Sequence, residues 1–185
     1  MKIILGLFVC FLSCGVHAET LKKASPESLA RATKQMTALS KAMSEGMEVL
    51  KLGNLNGIGA HSRRMNTLVE DGQKQFGSSI FEPLGRCFGA GVNARAWWAA
   101  QVSAAQNGGI ERIPGSIKDA LGEYQMNRAE CLKSADPIAV EESNAQLDAE
   151  LKKKFGGGRE CLTVLDVDPE TKEIISKPKP AHCKN

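Results

Sequence analysis

Residues 80–105 read IFEPLGRCFGAGVNARAWWAAQVSAA, and this stretch, crowded with glycine and alanine, decides the fold. Each glycine costs about 1 kcal/mol of helix propensity relative to alanine. A helix with this composition therefore needs compensation, which close approach by neighbouring helices provides. The sequence predicts that residues 80–105 form the central helix of a bundle. Ser79 and Glu82 have the spacing of a capping box at its start, and Gly108-Gly109 ends it.

Four more helices are predicted around this central one, because apolar residues recur every three or four positions along the chain. The first follows Ser25-Pro26-Glu27, where serine suits the N-cap and proline the first helical position, and Gly53 ends it. Its apolar seam contains Leu29, Ala32, Met36, Leu39, Met43, Gly46 and Leu50. The others are predicted at 56–76, 116–133 and 137–155.

The sequence changes character after Gly156-Gly157-Gly158. Residues 161–167 are mostly apolar or β-branched, a turn follows at 168–172, and residues 173–177 return, which is the pattern of a β-hairpin. An isolated hairpin is marginally stable in water. We therefore expect residues 159–185 to form a tail stapled by a disulfide and packed on the helical bundle of residues 19–158.

The first eighteen residues have the pattern of a secretory signal peptide. Lys2 precedes an apolar run, and Val16-His17-Ala18 offers small residues for cleavage after Ala18. We expect a periplasmic or secreted protein. A lipoprotein interpretation at Cys14 is the alternative, and the chain would contact a membrane only if Cys14 were lipidated.

Four cysteines remain after that segment, and an even number in an exported chain predicts two disulfides. If the third and fourth helices are antiparallel neighbours, Cys87 and Cys131 lie at the same end of the pair. The hairpin brings Cys161 close to Cys183. The predicted pairs are Cys87–Cys131 and Cys161–Cys183. A zinc site at Cys161, His182 and Cys183 would need reduced cysteines, so no metal is expected.

Composition and motifs exclude several classes of function. The chain has 185 residues, 42% of them hydrophobic and 24% charged, which is typical of a soluble globular protein. A net charge of +3 and 5% aromatic residues disfavour nucleic acid as a partner. Familiar catalytic and cofactor-binding motifs are missing from the sequence, so neither a cofactor nor an enzyme is expected.

Two features that resemble chemical sites have simpler interpretations. Four glutamates on the fourth and fifth helices are candidate carboxylates for a hydrolase, and solvated helix faces explain them equally well: Glu123, Glu130, Glu141 and Glu142. Asp166, Asp168 and Glu170 begin like a calcium loop, but Thr171 replaces the required glycine and Lys177 the required glutamate. We interpret this segment as a turn.

Trp97-Trp98 is the most informative local feature. Adjacent helical residues point about 100° apart, so a single narrow seam cannot hold both. Either a central position buries both indoles, or one of them lies in a surface groove with Arg95 and Asn93 as polar neighbours. Tryptophan and arginine are favoured interface anchors, so these four residues form the predicted binding site.

The sequence therefore predicts a mainly α-helical exported protein that binds another protein. Its expected partner is an envelope enzyme, a toxin or a secretion component, and inhibition of the immunity type is the preferred role over that of an accessory factor. The alternatives are a carboxylate-based envelope hydrolase and a carrier of small apolar ligands.

Overall fold

The computed structural model describes Leu21 and residues 23–184, and it is mainly helical with a C-terminal hairpin, as predicted. The helices are α1 (Pro26–Leu52), α2 (Leu55–Phe76), α3 (Gly85–Gln106), α4 (Ser116–Ala135) and α5 (Pro137–Phe155). A short 3-10 helix (Arg159–Cys161) precedes strands β1 (Leu165–Val167) and β2 (Ile174–Ser176), which pair antiparallel. The signal-peptide and Cys14 predictions lie outside the described residues. No helix in the described part of the chain is long and apolar enough to cross a membrane.

Both ends of α1 are fixed by the residues that the sequence indicated. The Ser25 hydroxyl accepts a hydrogen bond from the Ser28 N–H at 3.0 Å, which caps the free amides of the first turn. Gly53 ends the helix with φ at 64°, a left-handed conformation that glycine adopts without strain. Asn54 then caps α2 by accepting the Asn56 N–H at 3.0 Å, so α1 and α2 follow one another through a very short turn.

The predicted start of α3 was wrong, because the helix begins at Gly85 rather than residue 80. Pro83 disfavours a helical backbone at Glu82. The Glu82 carboxylate does accept the Ser79 N–H at 3.2 Å, but this pairing stabilises the preceding turn instead. Gly85 is required there, since a Cβ would lie 1.9 Å from the Ser79 carbonyl oxygen.

Helices α1 to α4 surround a shared core in which α3 contacts the other three. Ser25 donates its N–H to the Ala135 carbonyl at 3.3 Å, and Leu21 donates to Gln75 at 2.8 Å, so these residues meet at one end of the bundle. The turn after Gly53 and the loop at 107–115 lie at the opposite end. Between the ends, a 2.7 Å hydrogen bond joins Ser40 on α1 to Tyr124 on α4. The fully buried apolar side chains include Ala32, Met36, Leu39, Ala42, Met65, Phe76, Leu84, Ala90 and Ala94.

The predicted disulfide pairs are both confirmed. Cys87 and Cys131 join α3 to α4 with their Cα atoms 4.6 Å apart, which reflects the close approach expected of the small-residue helix. Cys161 and Cys183 close the tail with a Cα separation of 5.4 Å. Helix α5 follows α4, and Leu151 is the residue of α5 that is buried.

The tail contacts α5 at its base, and its strands are exposed along their whole length. Lys184 donates its N–H to the Phe155 carbonyl at 2.6 Å, and Cys161 is buried beside α5. The first strand is shorter than predicted because Cys161 belongs to the 3-10 helix. At the turn, the Asp168 carboxylate accepts the N–H groups of Glu170 and Thr171, which also lowers the pKa of Asp168.

Candidate functional site

Trp97 and Trp98 are both buried, with 6% and 2% of their surfaces exposed, which is the first of the two arrangements that the sequence left open. The reason is the position of α3. With α1, α2 and α4 all packed against it, neighbouring residues that point about 100° apart both meet another helix. Trp98 donates its indole N–H to the Ser62 hydroxyl on α2 at 2.8 Å, which holds the ring against α2.

The two polar neighbours of the tryptophans occupy different places. Arg95 is exposed on α3 and lies at the edge of a groove that Trp98 also lines. Asn93 is half-buried and does not line that groove. The structure thus brings Arg95 and Trp98 together, and leaves Asn93 and Trp97 outside.

The groove runs between α2 and α3 and has a volume of about 600 Å³. Small side chains on α3 create it, because Ala96, Ala99 and Ser103 project little from the helix surface. Polar groups from α2, Ser62 and Asn66, form one side. The full lining is Ser62, Asn66, Val92, Arg95, Ala96, Trp98, Ala99, Val102, Ser103, Gln106 and Arg112.

Two arginines give the groove its charge. Arg95 projects from α3, and Arg112 belongs to the loop between α3 and α4. Three other arginines of the chain form ion pairs with carboxylates: Arg31, Arg64 and Arg159. Neither Arg95 nor Arg112 has such a partner within residues 23–184. Their guanidinium groups are therefore free to bind carboxylates, for which their planar geometry is suited.

Exposed apolar residues extend this surface beyond the groove. Ile110 and Ile113 flank Arg112 in the loop, with 68% and 70% of their surfaces exposed. Leu52 and Leu55, at the turn between α1 and α2, are exposed at the same end of the bundle. Exposed apolar patches mark interaction surfaces, and arginine is one of the residues enriched in protein interfaces.

His61 lies beside Trp98 in the core and does not line the groove. The two rings meet edge to face with their centroids 4.6 Å apart. Within the described residues, the His61 Nε2 atom has no hydrogen-bond partner. Burial lowers the pKa of His61, and the nearby Arg64 charge lowers it further. His61 therefore packs against the indole within the core and takes no part in the groove.

The other candidate residues form no shared site. Glu123, Glu130, Glu141 and Glu142 are all exposed on α4 and α5. Asp166 forms an ion pair with Lys177 at 2.9 Å, and the Asp168 carboxylate stabilises the hairpin turn as described above. Of the three residues considered for zinc, Cys161 and Cys183 are joined in a disulfide. The third, His182, places its Nε2 atom 3.3 Å from a Glu160 carboxylate oxygen.

Among the groove residues that sequence reasoning missed are the three that lie outside α3: Ser62, Asn66 and Arg112. The first two are four positions apart, which places them on the same face of α2, but nothing in the sequence says that this face borders α3. Comparison with protein-family models, with curated proteins and with solved structures finds no match for this chain.

Proposed function

We propose that this chain is an exported protein-binding module whose α2–α3 groove holds an acidic segment of another protein. The observation that carries the proposal is the pair of arginines, Arg95 and Arg112, at the edge of a groove with an apolar floor. Such a groove matches a segment in which one or two carboxylates flank small apolar side chains.

The energetics favour a partner of this kind. Arginine–carboxylate hydrogen bonds are charge-assisted and often bidentate, which gives both strength and orientation. Val92, Ala99 and Val102 offer apolar surface that loses water on binding, and Trp98 supplies a rigid wall because it is fixed by Ser62. Ile110 and Ile113 enlarge the contact at the same end of the bundle.

The sequence and the cysteines support the proposed place of action. Residues 1–18 have the pattern of a signal peptide, and two disulfides are compatible with an oxidising compartment. The partner is accordingly an envelope enzyme, a toxin or a secretion component. Inhibition of the immunity type is the preferred role, since blocking another protein requires a rigid binding surface and no cofactor.

Affinity capture from the native envelope or culture medium tests this function. Tagged wild type is compared with the double variant Arg95→Glu/Arg112→Glu and with Arg128→Glu, which reverses an exposed arginine on α4. We expect one stoichiometric protein to be captured by the wild type and by Arg128→Glu, and lost with the double variant. Equal capture by all three folded proteins would contradict a role for the groove.

Capture of nothing, repeated with a chemical crosslinker, would favour the carboxylate hydrolase or the carrier of small apolar ligands. If a partner is found and is a toxin or hydrolase, its activity is measured with and without the chain. Loss of that activity at equimolar ratio supports the inhibitor role, and unchanged activity favours an accessory role.

A further inference from the structure

The hydrogen-bond pattern of the hairpin shows which backbone groups of β2 are free. Lys177 donates its N–H to Val164, and Asp168 donates to Glu173, both at 2.9 Å. Residue pairs alternate along an antiparallel ladder between those that exchange hydrogen bonds and those that do not. The N–H and C=O groups of Ile174 and Ser176 consequently point away from β1, towards the open edge of β2.

The two edges of the hairpin are not equivalent. On β1, the Val167 N–H points outward but bonds to the Asp166 carboxylate at 2.8 Å, which partly blocks that edge. The β2 edge has no such block among the described residues, and its side chains are exposed. An exposed strand edge with unpaired backbone groups is a template for another strand.

We propose that the edge of β2 binds the β2 strand of a second copy of this chain, forming a four-stranded antiparallel sheet across a two-fold axis. With Ile175 opposite Ile175 of the second copy, Ile174 of each copy faces Ser176 of the other. Every outward N–H and C=O of these residues then has a partner, which gives four hydrogen bonds. Self-complementary pairing of this kind is what a two-fold interface requires.

Charge complementarity supports this register. One step further from the axis, Glu173 of each copy lies opposite Lys177 of the other. Both positions belong to pairs without backbone hydrogen bonds, in which the side chains come closest. Lys177 already contacts Asp166 in its own hairpin at 2.9 Å, so each lysine lies between two carboxylates. Ile175, which is 42% exposed in the single chain, is covered by its equivalent at the axis.

Sedimentation of mixed charge variants tests the dimer on the full disulfide-bonded chain. The strands are short, so association is expected to be weak and is measured at about 10–500 µM protein. Glu173→Lys and Lys177→Glu, each alone, place like charges opposite one another at both ends. Each is expected to weaken self-association about tenfold or more. In an equimolar mixture the charges are complementary again, and we expect the heterodimer to form at wild-type concentrations.

Disulfide trapping gives a second measurement that does not depend on the charge variants. Ile175→Cys places two thiols at the axis, where the Cα separation in such a pair is about 4.5 Å and suits a disulfide. We expect a covalent dimer on oxidation, and none with Thr171→Cys in the exposed turn. A wild-type chain that stays monomeric throughout the range overturns the proposal. So does self-association that the charge variants leave unchanged, or a mixture that fails to restore it.

Discussion

The substitution Gly46→Ala measures how closely α1 approaches the rings of His61 and Trp98. A Cβ at residue 46 would lie 2.9 Å from His61 Nε2 and 2.9 Å from a carbon of the Trp98 ring. Favourable contacts between carbon atoms are about 3.5–4.0 Å. Both rings are buried between three helices, so neither moves aside cheaply.

The expected size of the effect combines two opposing terms. Alanine in place of glycine inside a helix gains about 1 kcal/mol of propensity. Overpacking a well-packed core costs about 1–3 kcal/mol, and two rigid rings place this site in the upper part of that range. We expect Gly46→Ala to lower the free energy of unfolding by about 1–2 kcal/mol.

Gly122→Ala is the matched control, because a Cβ at this exposed position of α4 meets nothing within 4 Å. Gly122→Ala should gain only the higher helix propensity of alanine, and its melting temperature should rise by about 2–4 °C. Urea unfolding followed by circular dichroism, with both disulfides intact, compares the two variants. If Gly46→Ala stabilises the protein as much as Gly122→Ala does, the close approach of α1 to Trp98 is refuted.

Three other predictions concern stability. Removing the Cys87–Cys131 disulfide by double alanine substitution should lower the free energy of unfolding by about 4 kcal/mol, given the 44-residue separation. Removing the Cys161–Cys183 disulfide in the same way should leave the main urea transition unchanged. Equal losses from the two removals would contradict a tail that lies outside the core. Burial lowers the pKa of His61, so the unfolded chain binds a proton more readily than the folded chain. The free energy of unfolding should therefore fall as the pH decreases below 6.5, and this loss should be smaller in His61→Gln. A urea midpoint with the same pH dependence in both proteins would contradict this prediction. Tyr124→Phe removes the hydrogen bond to Ser40 and should cost about 0.5–1.5 kcal/mol in thermal unfolding, while no change would indicate that water replaces the hydroxyl.

The fold could be predicted where a local signal determines it. Ser25, Gly53 and Asp136 set helix ends through their own capping chemistry, and the structure has caps at all three. The cysteine pairs followed from antiparallel helices and a hairpin. The start of α3 was misjudged because Ser79 and Glu82 do make a capping interaction, yet Pro83 keeps the segment from being helical.

The groove could be predicted only in part, because it depends on which faces of α2 and α3 meet. The sequence suggested Arg95 as a polar neighbour of the tryptophans, and the structure places it with Trp98 in the lining of the groove. The burial of both indoles was left open, since the sequence does not reveal how many helices surround α3. Arg112 lies in a loop with no periodicity, so nothing in the sequence places it beside Arg95.

Photo-crosslinking from the groove tests the central claim of protein binding most directly. A photoreactive amino acid replaces Ala99 on the groove floor, or Ala129 on the exposed surface of α4 as the matched control, and the protein is irradiated in its native extract. We predict a covalent adduct with one protein from position 99 and none from position 129, with the adduct mapped to an acidic segment of that protein. Adducts of equal yield from both positions, or a position-99 adduct at a segment without carboxylates, would contradict the account.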